Sequence, residues 1–262
     1  MGNRLAIAVP GIAFAIVVVA IGGLAFAAVA GVVAVLALAE LYSLTAAARP
    51  LRWAGYLGAL LVIGLAWGYE PAEQGLLLGV VGGLGLVAVA GLILSRRDEV
   101  THRMTTTLLG IVYVGVPLAV LVLMRDLPHG AAAVVNVLVG TWVFDTASYL
   151  GGRALGRVQI APQTSPGKTL EGLVVGFLIG TASVWVAGLY MDWIGGWDSL
   201  ILGLIICPAA FLGDLFESLL KRDAGAKDSG RLLGGHGGIL DRFDALLFSG
   251  VAGYFATVLL VF

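Results

Sequence analysis

Runs of some twenty apolar residues recur along the chain, and few charges interrupt them. An α-helix of roughly 20 residues crosses the ~30 Å hydrocarbon core of a bilayer. Backbone polar groups in hydrocarbon must be satisfied within the spanning structure, which leaves helices or a closed barrel. The runs here are continuous rather than alternating, so they select helices. Of the 262 residues 60% are hydrophobic and 12% charged, whereas a soluble domain is about half apolar and a quarter charged. A water-soluble domain is therefore excluded, and an all-α, polytopic membrane helix bundle is expected.

Spans are expected at 5–21, 24–41, 53–69, 75–94, 107–124, 130–150, 169–191, 199–220 and 239–261. The first two form one apolar run of roughly 35 residues, too long for a single span. Gly22-Gly23 is the natural turn within it. With the N-terminus in the cytoplasm, 14 of the 15 Lys and Arg residues fall on the cytoplasmic side and only Arg125 falls outside. That is a strong positive-inside bias. The 39 glycines suit helices that approach closely in lipid. The single cysteine, Cys207, permits no intramolecular disulfide and sits in an apolar run as a core residue. A signal peptide is not expected over the first thirty residues, because the run after Arg4 exceeds a typical h-region. With no linker, charged tail or solenoid repeat, the chain reads as a single membrane domain over 1–262.

Charged groups inside a span are costly and usually functional. Glu40 closes the second span, Asp145 lies late in the sixth, Asp214 and Glu217 lie in the eighth, and Asp241 and Asp244 open the ninth. Asp214, Glu217, Ser218 and Lys221 follow at i, i+3, i+4 and i+7 and share one helix face. Asp241 and Asp244 share a face, as do Asp145, Ser148 and Tyr149. Stripes from three helices at one depth predict a shared polar cleft. Clustered carboxylates suit Mg2+, a hard cation that keeps waters and shares phosphate oxygens. Lys221, Arg222, Lys227 and Arg231 beside them suit a phosphate-rich substrate. Gly234, Gly235, Gly237 and Gly238 leave backbone N–H groups open to phosphate oxygens, with His236 either donating to a phosphate or fixing the loop.

A second polar patch follows the sixth span and supplies Arg153, Arg157, Ser165, Lys168, Thr169 and Glu171. Pro162 and Pro166 keep it from being one helix, and Ser165-Pro166-Gly167-Lys168 reads as a turn into the seventh span. No Cys/His metal site and no nucleophile–base pair is evident. A covalent intermediate is not expected.

Ser218-x-x-Lys221-Arg222-x4-Lys227-Asp228, followed by Leu233-Gly234-x-His236-Gly237-Gly238-Ile239-x-Asp241-Arg242-Phe243-Asp244, resembles the C-terminal signature of the phosphatidate cytidylyltransferases. Asp145 to Tyr149 with Gly152-Arg153, and Ala161-Pro162-x-x-Ser165-Pro166-x-Lys168-Thr169-x-Glu171-Gly172, are similar to that family's other polar segments. Ser148 departs from the alanine or glycine expected there. The specific resemblance covers residues 145–244, and the first hundred or so residues match only as a hydrophobic bundle.

The resemblance implies that CTP and phosphatidic acid react to give CDP-diacylglycerol and pyrophosphate, with Mg2+ and room for a second cation such as K+. It also implies a multi-helix fold in the inner membrane, a homodimer, membrane lipids as surroundings, an active site facing the cytoplasm, and no nucleic-acid partner. On this reading 1–124 are N-terminal helices, and 125–262 are catalytic helices with cytoplasmic loops. Asp214 and Asp241 are expected as the principal metal ligands, with Asp228, Asp244, Glu217 and Asp145 as further candidates. Lys221, Arg222, Lys227 and Lys168 are expected to bind phosphate. Ser165 and Ser218 orient phosphates or a cation, and Arg153, His236, Gly237 and Gly238 belong to substrate binding. Two other readings stay open: a CTP-dependent enzyme acting on an ether-lipid phosphate or a polyprenol, and an ion-coupled transporter, which would place its acids nearer the midplane.

Overall fold

A computed structural model describes residues 2–94, 99–230, 232 and 237–262. Among them lie nine long helices: α1 Gly2–Ile21, α2 Gly23–Leu44, α3 Arg52–Gly68, α4 Ala72–Leu94, α5 Val100–Asp126, α6 Gly130–Leu155, α7 Leu170–Gly188, α8 Gly196–Asp223 and α9 Leu240–Val261. Seven are long and apolar enough to cross a membrane. Large apolar side chains such as Leu92, Ile93 and Leu259 point outward, as lipid-facing residues do. The helices follow the expected spans, with most ends within a turn of them; α5 begins seven residues before its expected start and α6 ends five after its expected end.

The long first run breaks at Gly22 and Gly23, which have φ of 67° and 51°. A side chain is strained in that region, whereas glycine enters it without penalty. The carbonyls left open at the end of α1 are taken by Arg125, whose guanidinium donates to Val19 O and Ala20 O. In α5 the residues Ile111–Gly115 form a π turn just before Pro117. Proline lacks an N–H and its ring crowds the carbonyl four residues back, here Tyr113, and the wider turn accommodates both.

The chain divides into two compact units. One comprises the described residues up to Ala131 together with those of Asp228–Asp241. In it Gly75, Gly79 and Gly83 of α4 stand four apart and lie against α3, where a Cβ at Gly75 or Gly79 would strike Leu65 or Val62 and one at Gly83 would just touch Gly58. This is the small-residue packing that lipid-embedded helices use. Tyr42 of α2 donates to Thr107 O (2.9 Å), and Leu51 N–H donates to Thr107 Oγ1 (2.8 Å), which ties the α2–α3 connection to α5.

The other unit comprises Ala132–Lys227 and Arg242–Phe262. Gly172, Gly176 and Gly180 of α7 repeat the four-residue spacing and meet Gly152, Ser148 and Phe144 of α6, with Cys207 of α8 beside Gly180. The core here is Phe144, Cys207, Ala210 and Ala245, packed with Leu173, Phe177 and Phe211. Cys207 is buried, as expected of it.

Candidate functional site

The segment between α6 and α7 is a folded loop. Glu171 Oε2 accepts the backbone N–H groups of Arg157 (2.9 Å) and Val158 (3.2 Å). Ile160 N–H donates to Lys168 O (3.0 Å) and Leu170 N–H to Val158 O (2.8 Å), around an antiparallel bridge between Gln159 and Thr169. The two prolines bracket a turn in which Ser165 N–H donates to Ala161 O and Lys168 N–H to Ser165 O. Thr169 caps α7, its hydroxyl accepting Gly172 N–H at 3.2 Å. These side-chain and backbone contacts hold Lys168 in one place.

From there Lys168 reaches α8. Its Nζ lies 2.8 Å from Asp214 Oδ2 and 5.1 Å from the centroid of the Phe211 ring, with 18% of its side chain exposed. At the end of α8, Arg222 donates through Nε to Thr164 O and through its terminal nitrogen to Ala226 O, both at 3.1 Å. The two polar patches, more than forty residues apart in sequence, therefore meet. The stripe on α8 also forms as its spacing predicts. Ser218 Oγ donates to Asp214 Oδ1 at 3.4 Å, and Lys221 pairs with Glu217, which is fully buried.

Gly213 lets α9 approach this stripe. A Cβ there would strike Asp244 O and the Ala245 backbone. Asp145 of α6 is within Coulombic reach of Asp214 and Lys168. Asp244 is within Coulombic reach of Asp214 and Asp145, with Glu217 beside it. This cluster sets four carboxyls against two ammonium groups inside a helix bundle. Its excess of negative charge and its all-oxygen acid donors fit a hard divalent cation. Among the described residues no three such groups converge as a preformed centre. Magnesium is ordinarily held by one or two carboxylates, completed by waters and phosphate oxygens, so this donor set is adequate for it.

Asp241 lies in the first unit with Gly237 and Gly238. Its Oδ2 accepts Gly238 N–H (2.7 Å), Ser229 N–H (3.0 Å) and the Ser229 hydroxyl (2.9 Å). Gly237 has φ of 79° and leaves room for that carboxylate. Glu40 from α2 joins the same group, and a Cβ at Gly230 or Gly238 would strike its carboxyl. Gly238 is side-chain-free for this contact as well as for any phosphate.

Arg153, Lys227 and Asp228 are exposed, and Ser165 is half-buried with its backbone in the turn. Tyr149 is exposed. His236, Arg231, Gly234 and Gly235 lie outside the described residues. Sequence reasoning had no role for Ser229 and none for Glu40 beyond its cost in a span. The only signal was a lone carboxylate late in an apolar helix.

This chain is similar to proteins named phosphatidate cytidylyltransferase. It is 42% identical to that of Brucella suis over 139 residues, 53% of this chain and 52% of the relative. It is 40% identical to that of Staphylococcus saprophyticus over 142 residues, 54% of each. With that of Staphylococcus epidermidis the identity is 33% over 184 residues, 68% of this chain and 70% of the relative. The chain thus spans about half the length of the first two. Because the family's sequence model runs over residues 2–260, from α1 to α9, this chain belongs to the cytidylyltransferase family.

Proposed function

We propose that this chain transfers the cytidylyl group of CTP to phosphatidic acid, giving CDP-diacylglycerol and pyrophosphate. The observation that carries this reading is the partly buried cluster of Asp145, Asp214, Glu217 and Asp244 with Lys168 and Lys221. It is supported by the printed names of the relatives. A phosphate oxygen of phosphatidic acid attacks the α-phosphorus of CTP. The bond from that phosphorus to the oxygen bridging the β-phosphate breaks, and pyrophosphate leaves with the electron pair. The nucleophile is already anionic, so no general base is required. The difficulty is repulsion between two polyanions, so positioning and charge neutralisation dominate.

Asp214 is the principal ligand for Mg2+ in this cluster, with Asp145, Glu217 and Asp244 around it, and Asp241 is its counterpart on α9. Bound Mg2+ supplies charge neutralisation and a template for phosphate oxygens. Lys168 orients Asp214 and presents its ammonium to incoming phosphate. Lys221 does the same beside Glu217. Arg222 holds the 156–169 loop against α8, and the exposed Arg153 and Lys227 attract the triphosphate. A second cation such as K+ and a homodimer complete the proposal.

The lipid tails stay in the bilayer while the head group reaches the charged helix ends, which face the cytoplasm of an inner membrane. In the test, purified protein in detergent receives phosphatidic acid and radiolabelled CTP, with Mg2+ or with EDTA. Mg2+-dependent label in lipid with stoichiometric pyrophosphate is expected. Label only with an ether-lipid phosphate or a polyprenol would change the substrate, and no labelled lipid at all would sink the transferase.

A further inference from the structure

Glu40 sits one turn before the end of an otherwise apolar helix and is 8% exposed. A carboxylate there is expensive unless donors or a cation meet it. Among the described residues no cation pairs with it. Its partners lie about 190–200 positions away: Ile239 N–H donates to Oε1 at 2.9 Å, and Leu240 N–H and the Ser229 hydroxyl donate to Oε2, each at 2.9 Å. Leu240 begins α9 and Ile239 immediately precedes it, where the first N–H groups have no partner within the helix and the helix dipole favours an anion. Leu240 is fully buried, so water does not replace the missing acceptor. Glu40 therefore acts as a side-chain cap delivered from another helix.

The same contact reaches the signature aspartate. The Ser229 hydroxyl stands 2.9 Å from both Glu40 Oε2 and Asp241 Oδ2, and it accepts Asp241 N–H at 3.3 Å. It carries one proton and donates to one carboxylate at a time. Ser229 N–H and Gly238 N–H then hold Asp241 Oδ2 from two further directions. Gly230 and Gly238 are side-chain-free where Glu40 enters.

We propose that Glu40 is a positioning residue: it fixes the Ile239–Leu240 backbone at the start of α9 and, through Ser229, the orientation of the Asp241 carboxylate toward a cation. The second half of this rests on the reading of Asp241 as a metal ligand given above. The first half does not.

The test uses the full chain in detergent, comparing wild type, Glu40→Gln, Glu40→Asp, Ser229→Ala and Asp241→Asn. Two properties are measured without turnover: amide hydrogen exchange across 237–241, and Mn2+ binding by electron paramagnetic resonance. Glu40→Gln is expected to lose exchange protection at Ile239 and Leu240 with the rest of α9 unchanged, and to bind Mn2+ about tenfold more weakly, the scale of losing an outer partner of a metal ligand. Ser229→Ala is expected to weaken Mn2+ by a similar factor while the Ile239 and Leu240 amides stay protected, a separation that a merely structural role for Glu40 does not produce. Wild-type exchange and wild-type Mn2+ affinity in Glu40→Gln, with affinity lost in Asp241→Asn, would overturn the proposal and leave the function standing. Equal Mn2+ binding by wild type and Asp241→Asn would overturn the metal reading, and exchange alone would then decide the capping role. Should Glu40→Gln fail to fold, wild-type behaviour of both Glu40→Asp and Ser229→Ala would still overturn it.

Discussion

Lys168 and Asp214 form the contact on which the proposed chemistry turns most directly. An ammonium largely shielded from solvent between a carboxylate and an aromatic face is held by charge on one side and by the ring quadrupole on the other. Replacing Lys168 by Met keeps the stem and removes the charge. Asp214→Asn keeps the shape and removes the anion. Each is expected to lower kcat/KM by about 10²–10³-fold, the scale of removing a preorganised charge-stabilising group. The double variant is expected to fall short of the product of the two, with a coupling of about 0.5–3 kcal/mol, because each partner orients the other. Strict multiplicativity in a four-way kinetic comparison would show that the ion pair is incidental.

At the scale of elements, close helix approach and loop anchoring set where these groups stand. Gly176 faces Ser148 Oγ and Phe144 O so closely that no Cβ fits, whereas Gly64 of α3 has open space around it. Gly176→Val is expected to cost about 1–3 kcal/mol through overpacking. Gly64→Ala is expected to be neutral or to stabilise by up to about 1 kcal/mol, since glycine weakens a helix interior. Thermal unfolding in detergent measures both, and equal shifts would refute the packing account. Thr169→Ala removes the cap of α7 and is expected to cost about 1 kcal/mol. It should also lower activity, because the residue it releases adjoins Lys168. Retained activity with the expected loss of stability would separate the cap from the site.

For the whole molecule we propose one orientation in the membrane, with the 156–169 loop, the end of α8 and the N-terminus on the cytoplasmic side that the positive-inside bias favours. Cys207 is buried and shielded from a maleimide, so cysteines added to the native chain report position. A membrane-impermeant maleimide applied to intact cells is expected to label Asp192→Cys, in the exposed α7–α8 connection, and to spare Arg157→Cys until the cells are opened. The reverse pattern would invert the topology and put CTP on the wrong side of the membrane for the proposed reaction.

Hydropathy and spacing alone determined the helical class, most helix limits to within a turn, the break at Gly22-Gly23 and the α8 stripe. Those features depend on neighbours in sequence: run length against bilayer thickness, and side chains one turn apart. The stripe formed as read, with Ser218 on Asp214 and Lys221 on Glu217. The family signature was legible for the same reason, as local spacing. Only tertiary structure decided that Lys168 pairs with Asp214, that Arg222 pins the loop through Thr164, and that Tyr149 is exposed. The same holds for Glu40, which caps a helix beginning 200 residues later. No periodicity carries information across such distances. A carboxylate in an apolar run announces that something must meet it, because the cost of burial is local, but the donor that meets it is chosen by packing.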